Sequence, residues 1–123
     1  MIIRDELEAL PGGQTTSALR SRILLGVLAD AEAERLGLRA TASQLDGTTR
    51  WFRTQFDLVT RADVEDFLGY AGLDLPALTA QMRTYTNISL VDIHHHAEIE
   101  RRLPSYEALL RLEAWSGQPA GER

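Results

Sequence analysis

The chain has 123 residues, which is the length of one ordinary domain and leaves no room for a second unit with its own core. Its 18 acidic and 13 basic residues give a net charge of -5, which disfavours a surface that neutralises the phosphates of a nucleic acid. Every basic residue is an arginine and cysteine is absent. Lysine Schiff bases, thiol nucleophiles, disulfides and zinc fingers are therefore excluded.

The two ends of the chain carry no targeting pattern. Acidic residues near the N-terminus interrupt each apolar run before it reaches the length of a signal peptide. No apolar run approaches the roughly 20 residues that a membrane-spanning helix needs. We therefore expect a cytoplasmic protein that does not engage a membrane, with a single domain over residues 1–115 and a flexible tail over residues 116–123.

Helix start and stop signals divide the chain. Pro11–Gly13 separates a short N-terminal segment from a long helix, which Thr16 or Ser17 can cap. The apolar spacing predicts this helix over Ala18–Leu36, and Gly37 follows as its C-terminal cap.

Two shorter helices come next. Thr41 and Gln44 have the form of a capping box and predict a helix that reaches Phe56. Thr60 can cap the second of these helices, and Gly72 ends it.

The second half of the chain is harder to interpret. Helical spacing predicts one long helix over Leu75–Leu103, bent near Asn87 and ending before Pro104, with a last helix over Ser105–Trp115. The competing interpretation is a strand over Tyr85–Ile93, where β-branched residues are frequent. Neither face of that alternation is apolar, so we prefer the helix. The predicted fold is all-α: a single compact bundle of about five to six helices with one long helix in its C-terminal half.

A succession of short motifs follows the order of a known helical domain. These motifs are Glu34–Leu38, the capped helix ending at Phe56, Phe67, Leu68, Gly72–Asp74, Leu78, Met82 and Arg83. Over about Ser17 to Leu103, their order resembles the N-terminal helical domain of the SurA-type periplasmic chaperones, here without a prolyl-isomerase domain. The resemblance implies a domain that cradles extended polypeptide in an apolar cleft. In size and cysteine-free helical character the chain is also similar to the small proteins that form lysinoalanine bridges in lanthipeptides.

A run of three histidines is the most conspicuous local feature. On a continuous helix Asp92, His96 and Glu100 share one face, where an oriented histidine could transfer protons. The spacing differs from that of known metal-binding helices, so we predict no metal site, although metal binding by His94–His96 stays open. The alternative is an acidic solvated face with one histidine against the core.

Aromatic residues and arginines together are typical of recognition surfaces. Arg50 and Arg53 flank Trp51, and polar residues interrupt the expected apolar stripe of the long helix. We place the floor of a peptide-binding cleft along Met82, Tyr85, Ser89, Asp92 and His96, with Trp51 or Arg53 on a wall. The alternatives are a partly wet helix face and surface salt bridges from the arginines to Asp46, Asp57 or Glu65.

The favoured function is a peptide-binding helical protein that holds an extended polypeptide during its maturation or folding. The alternative is a small enzyme that templates an intramolecular crosslink in a bound peptide, with His96, Asp92 and Arg83 as its catalytic residues. Substrate contacts are assigned to Trp51, Arg53, Met82, Tyr85 and Ser89. We expect no cofactor, no nucleic acid partner, and a homodimer, because one small domain offers a limited cleft.

Overall fold

The computed structural model describes residues 15–119 and residue 121, and the regular structure of these residues is five α-helices. They are α1 (Thr16–Leu36), α2 (Ala42–Gln55), α3 (Arg61–Ala71), α4 (Leu75–His94) and α5 (His96–Ser116). The all-α prediction is confirmed, and helix rather than strand is found over Tyr85–Ile93. None of the described helices combines the length and apolarity needed to cross a membrane. The segment before Pro11–Gly13 lies outside the described residues.

Threonine side chains begin the first three helices. The hydroxyl of Thr15 accepts a hydrogen bond from the third residue beyond it, so α1 starts two residues earlier than predicted. Thr41 and Thr60 each form a complete capping box with the residue three positions later. Each box pairs two backbone N–H groups that a helix start otherwise leaves without an acceptor, which explains why these two starts were predictable from local sequence.

Glycines end α1 and α3 as predicted. Gly37 and Gly72 both have a φ of 70°, a left-handed conformation that glycine adopts without a Cβ clash. After Gly72 the N–H of Leu73 donates to the carbonyl of Leu68 at 3.0 Å, which closes a Schellman turn. The side chain of Asp74 then caps the start of α4. The two helices therefore meet at a tight corner.

The prediction of one continuous helix over Leu75–Leu103 is wrong. The chain forms two helices here, and His95 separates them. His95 has φ -99° and ψ 16°, and its side chain makes no capping hydrogen bond. The interruption falls among three imidazoles and just after β-branched Ile93, all of which are weak helix formers. Helix α4 runs through Asn87, and Pro104 lies inside α5 rather than after its end. The preference against helix before proline is therefore overridden here.

The chain divides into two units, Met1–Val91 and Asp92–Arg123. The described part of the first unit holds α1, α2, α3 and most of α4. The second unit holds the last turn of α4 and all of α5, which extends to Ser116. The single domain over residues 1–115 and the tail over residues 116–123 stay predictions.

The apolar core of the first unit lies where α2 and α3 pack on one side of α4. Phe52, Leu78 and Met82 are buried at its centre. The ring of Phe52 contacts the rings of Phe56 and Phe67, at centroid distances of 4.8 and 5.9 Å. Partly buried apolar side chains surround this centre: Leu58, Val64, Phe67 and Leu68.

On its other side α4 packs against α1 through very small residues. Gly26, Ala29 and Ala33 are the buried residues of α1. A Cβ added at Gly26 would lie 3.0 Å from the Cγ2 of Thr84, a tighter contact than a Cβ usually makes, so glycine at position 26 favours the close approach of the two helices. Since Thr84 and Met82 are two residues apart, they lie on opposite faces of α4. Helix α4 is therefore sandwiched between α1 and the α2–α3 pair.

Replacement of Met82 by alanine tests its placement in the core. Met82 is 3% exposed, so Met82→Ala leaves a cavity and is expected to lower the free energy of unfolding by about 2 to 5 kcal/mol. Leu75→Ala is the control on the same helix, because Leu75 is 61% exposed and its truncation is expected to cost less than about 0.5 kcal/mol. Urea unfolding followed by circular dichroism measures both, and equal losses would contradict this assignment of the core.

Candidate functional site

The residues predicted to line a cleft on α4 do not share one open face. Met82 lies in the core, where its side chain supports the surface above it without being accessible to a ligand. Tyr85 is partly exposed, and Ser89 is exposed with its hydroxyl donating to the carbonyl of Tyr85 at 3.4 Å. The accessible part of the predicted floor in the first unit is therefore Tyr85 and Ser89.

An exposed aromatic pair joins α2 to α4. The rings of Trp51 and Tyr85 meet edge to face at a centroid distance of 6.3 Å and an interplanar angle of 85°. Trp51 is 53% and Tyr85 39% exposed, so each ring keeps apolar surface in contact with solvent. The structure thus brings together two of the predicted substrate contacts from positions that are far apart in sequence.

Arg53 lies elsewhere and has a structural role. Its Nε donates to the carbonyl of Leu58 at 2.9 Å and its Nη2 to the carbonyl of Val59 at 2.7 Å. These two bonds hold the loop between α2 and α3. Arg53 also lines an open cavity of about 480 Å³ together with Asp46, Thr49, Arg50, Thr54, Asp57, Leu58 and Val59.

The predicted salt bridges of Arg50 and Arg53 are not formed among the described residues. Neither side chain pairs with Asp46, Asp57 or Glu65, and the carboxylate of Glu65 is instead 3.1 Å from Arg61. The loop that Arg53 holds includes Asp57, whose φ of 55° is unusual for a residue other than glycine. Arg53 therefore supports the α2–α3 turn by bonding to main-chain carbonyls.

Asp63 completes this turn from the other side. Its Oδ2 accepts hydrogen bonds from the backbone N–H of Thr60 at 2.8 Å and of Val59 at 3.0 Å. These bonds favour the ionised carboxylate, so the pKa of Asp63 lies below its usual value of 3.8, with the Thr60 backbone bond as the largest cause.

A second open cavity, of about 740 Å³, lies between α1 and α4. Arg83, one of the predicted catalytic residues, lines it, and Asp30 and Arg39 are charged neighbours that the sequence analysis missed. The full lining is Asp30, Ala33, Glu34, Gly37, Leu38, Arg39, Ala40, Ala80, Arg83, Thr84 and Asn87. The signal for this cavity in the sequence is weak: small residues on α1 at helical spacing, and polar Thr84 and Asn87 beside Arg83.

The other two predicted catalytic residues belong to the second unit. Asp92 lies in the last turn of α4, His96 begins α5, and both are exposed. Because the helix is interrupted at His95, Asp92 and Glu100 do not lie along one continuous helix. In the part of the chain that the structure describes, no group of three or more His, Asp or Glu side chains is arranged to hold a metal ion.

Neighbouring charges in the second unit form ion pairs. Glu98 bonds to Arg101 at 2.6 Å and to Arg102 at 2.8 Å. These hydrogen bonds, that of Arg101 first, lower the pKa of Glu98. The rings of His94 and His95 contact each other edge to face at 4.9 Å. The start of α5 is therefore a charged surface exposed to solvent. An acidic solvated face is also what the alternative interpretation of the histidine run predicts.

Two helices expose large apolar side chains to solvent. On α1 the buried residues are the smallest ones, and six large apolar residues are exposed: Leu19, Ile23, Leu24, Leu25, Val27 and Leu28. Helix α5 has no buried residue, and seven large apolar residues on it are exposed: Ile99, Leu103, Tyr106, Leu109, Leu110, Leu112 and Trp115. Apolar surface on this scale usually marks a site of interaction.

Comparison of the chain with protein-family models, curated proteins and solved structures finds no match to any of them. The resemblance to SurA-type chaperones and the similarity to lanthipeptide-maturation proteins therefore stay predictions. Function has to be argued from the described residues.

The cap made by Asp63 predicts a dependence of stability on pH. Because its pKa is lower in the folded state, ionised Asp63 stabilises the fold above its unfolded pKa, and this contribution is lost as the pH falls through the folded pKa. The stability difference between wild type and Asp63→Asn should therefore be largest near neutral pH and shrink below about pH 4.

Urea unfolding at a series of pH values measures this difference. Asp66→Asn is the matched control, since it removes the same charge from the same helix without removing a cap. Identical pH profiles for the two variants would rule out a stabilising role for the ionised cap.

Proposed function

We propose that this chain is a peptide-binding helical protein that holds an extended polypeptide during its maturation or folding. The observation that carries the proposal is the exposed edge-to-face pair of Trp51 and Tyr85 at the seam between α2 and α4. Large aromatic side chains are enriched at the centres of binding interfaces, because they bury much area with few rotatable bonds.

The surroundings of the pair support its use as a binding surface. Both rings stand on helices that pack into the core through Phe52, Leu78 and Met82, so binding need not order a loop. The hydroxyl of Ser89 lies one turn beyond Tyr85 on the exposed side of α4 and keeps acceptor capacity for a peptide N–H. An extended peptide has both side chains and unpaired backbone groups. The aromatic rings can contact its apolar side chains, and the hydroxyl of Ser89 can bond to its backbone.

The sequence resemblances suggest the setting for this activity. A chaperone-like role follows from the similarity to the SurA-type helical domain, and an accessory role in the biosynthesis of modified peptides follows from the similarity to lanthipeptide-maturation proteins. Both settings need a protein that binds unfolded polypeptide, and in this proposal it acts in the cytoplasm.

Tyrosine substitutions test the peptide site. We expect the chain to bind members of a library of unstructured peptides, and Tyr85→Ala to weaken that binding about tenfold or more, as the loss of an interface anchor does. Tyr70→Ala is the control, because Tyr70 lies in the same unit and is 92% exposed. Titration calorimetry measures both, and equal affinities for the two variants would exclude the aromatic pair as the binding surface.

Tandem mass spectrometry of the recovered peptide separates holding from chemistry. An unchanged fragment series is expected if the protein only holds its ligand. A new intramolecular crosslink in the recovered peptide would instead support the alternative, a small enzyme that templates this crosslink.

We also propose that the chain forms a homodimer through the exposed faces of α1 and α5. Among the described residues the buried apolar ones are Ala29, Ala33, Phe52, Leu78 and Met82, and the first two are small. A typical stable interface buries about 800 Å² on each partner. Six exposed apolar side chains on α1 and seven on α5 are available for such an interface. A second copy offers the same faces under two-fold symmetry.

Sedimentation equilibrium tests the dimer. We expect a mass of twice 13.7 kDa for the wild type and a shift to the single-chain mass for Leu24→Glu combined with Leu28→Glu, which place charges on the outer face of α1. Val59→Glu is the control, since Val59 is exposed in the loop between α2 and α3. A single-chain mass for the wild type at every concentration would overturn the proposed interface.

A further inference from the structure

The cavity between α1 and α4 holds four charged side chains of both signs. Asp30 and Glu34 come from α1, Arg39 from the loop after it, and Arg83 from α4. Among the described residues none of the four forms an ion pair, although five other pairs are formed elsewhere along the chain. The cavity therefore keeps opposite charges apart within one space.

Asp30 is held in place by hydrogen bonds from α4. Its Oδ2 accepts from the hydroxyl of Thr84 at 3.0 Å, and its Oδ1 accepts from the side-chain amide of Asn87 at 2.9 Å. Each carboxylate oxygen retains capacity for another donor. The two donors are neutral, so they orient the carboxylate without cancelling its charge.

The cations are equally available. No described residue accepts a hydrogen bond from the guanidinium of Arg39 or Arg83. A guanidinium offers up to five N–H donors in a planar fork that matches a carboxylate, and such charge-assisted bonds are the stronger kind. The side-chain carboxylate of Glu34 likewise forms no ion pair or hydrogen bond with the described residues, although its backbone carbonyl accepts from Gly37.

We propose that this cavity binds a zwitterion: an ammonium group at Asp30 and Glu34, and a carboxylate at Arg39 and Arg83. The four side chains sum to zero charge, so a ligand of one sign would meet repulsion as well as attraction, whereas a ligand of both signs satisfies all four. The volume of about 740 Å³ lies within the range of small-ligand pockets, roughly 300 to 1,000 Å³, and accommodates a short peptide segment.

Two sources offer this chemistry: the free ends of a short peptide, and neighbouring basic and acidic side chains within a longer one. The site is separate from the aromatic pair, because Arg83 and Tyr85 are two residues apart on α4 and so face opposite ways. If the protein holds peptides as proposed above, this cavity would select for charge pattern while Trp51 and Tyr85 supply apolar contact.

Matched small peptides test the site by NMR titration of the full chain. Ala-Ala carries both charged ends, acetyl-Ala-Ala and Ala-Ala-amide each carry one, and acetyl-Ala-Ala-amide carries none. Saturable shifts of the amide signals of Asp30, Arg83 and Asn87 are expected with Ala-Ala, with at least about tenfold weaker binding for each singly blocked peptide. Acetyl-Lys-Ala-Asp-amide tests the second source, charged side chains within a longer peptide, because its ends are blocked and its charges lie only on side chains.

Variants locate the binding. Arg83→Gln and Glu34→Gln are each expected to weaken binding of the preferred zwitterion about tenfold or more. Arg61→Gln, which removes an exposed arginine of α3, is the control and should leave binding unchanged. Equal binding of blocked and free peptides, no binding of either zwitterion, or no effect of Arg83→Gln would overturn the proposal.

The outcome is separable from that of the peptide site. Loss of binding in Arg83→Gln with normal binding in Tyr85→Ala supports the zwitterion cavity alone, and the reverse pattern refutes it while preserving the aromatic site.

Discussion

The close contact between α1 and α4 is the constraint on which most of the described surface depends. Glycine at position 26 favours it, because a Cβ there would lie 3.0 Å from the Cγ2 of Thr84, a tighter contact than a Cβ usually makes. The approach lets the side chains of Thr84 and Asn87 reach Asp30 across the seam. Since α1 uses its smallest residues for this contact, its large apolar side chains turn outward. The contact therefore brings Asp30 to α4 and leaves the large apolar side chains of α1 exposed.

Several polar residues of α4 are used where this helix packs against its neighbours. Thr86 is the buried polar residue of the described core, and its hydroxyl donates to the carbonyl of Met82 at 2.8 Å and lies 2.7 Å from the hydroxyl of Thr48 on α2. Thr84 and Asn87 bond to α1 in the same way. A buried hydroxyl costs little when it is fully hydrogen-bonded, so such residues can stand at a helix contact. Of the residues predicted to interrupt the apolar stripe of α4, Asn87 makes a contact with α1, whereas Tyr85 and Ser89 are exposed.

The features that were predictable from sequence are local ones. The capping boxes at Thr41 and Thr60 and the glycine at position 72 act within a few residues, so their spacing alone locates the helix ends. The interruption at His95 and the passage of α5 through Pro104 were not predictable, because weak preferences compete there and no single residue decides. The α1–α4 cavity was missed for another reason. Its charged residues come from three separate segments, which the packing of α1 against α4 brings together.

The surfaces proposed for peptide and for a second copy differ in their physical character. The aromatic pair stands at a seam between two packed helices and combines rings with the hydroxyl of Ser89, which suits a chain with unpaired backbone groups. The outer face of α1 is aliphatic, and Ile23, Val27, Leu24 and Leu28 lie together at helical spacing. Such a face cannot form hydrogen bonds with the unpaired backbone groups of an extended peptide. It is better suited to another helix, whose backbone groups are already hydrogen-bonded within the helix. Helix α5 of a second copy meets that requirement, because its apolar residues are exposed along its whole length and its backbone is helical.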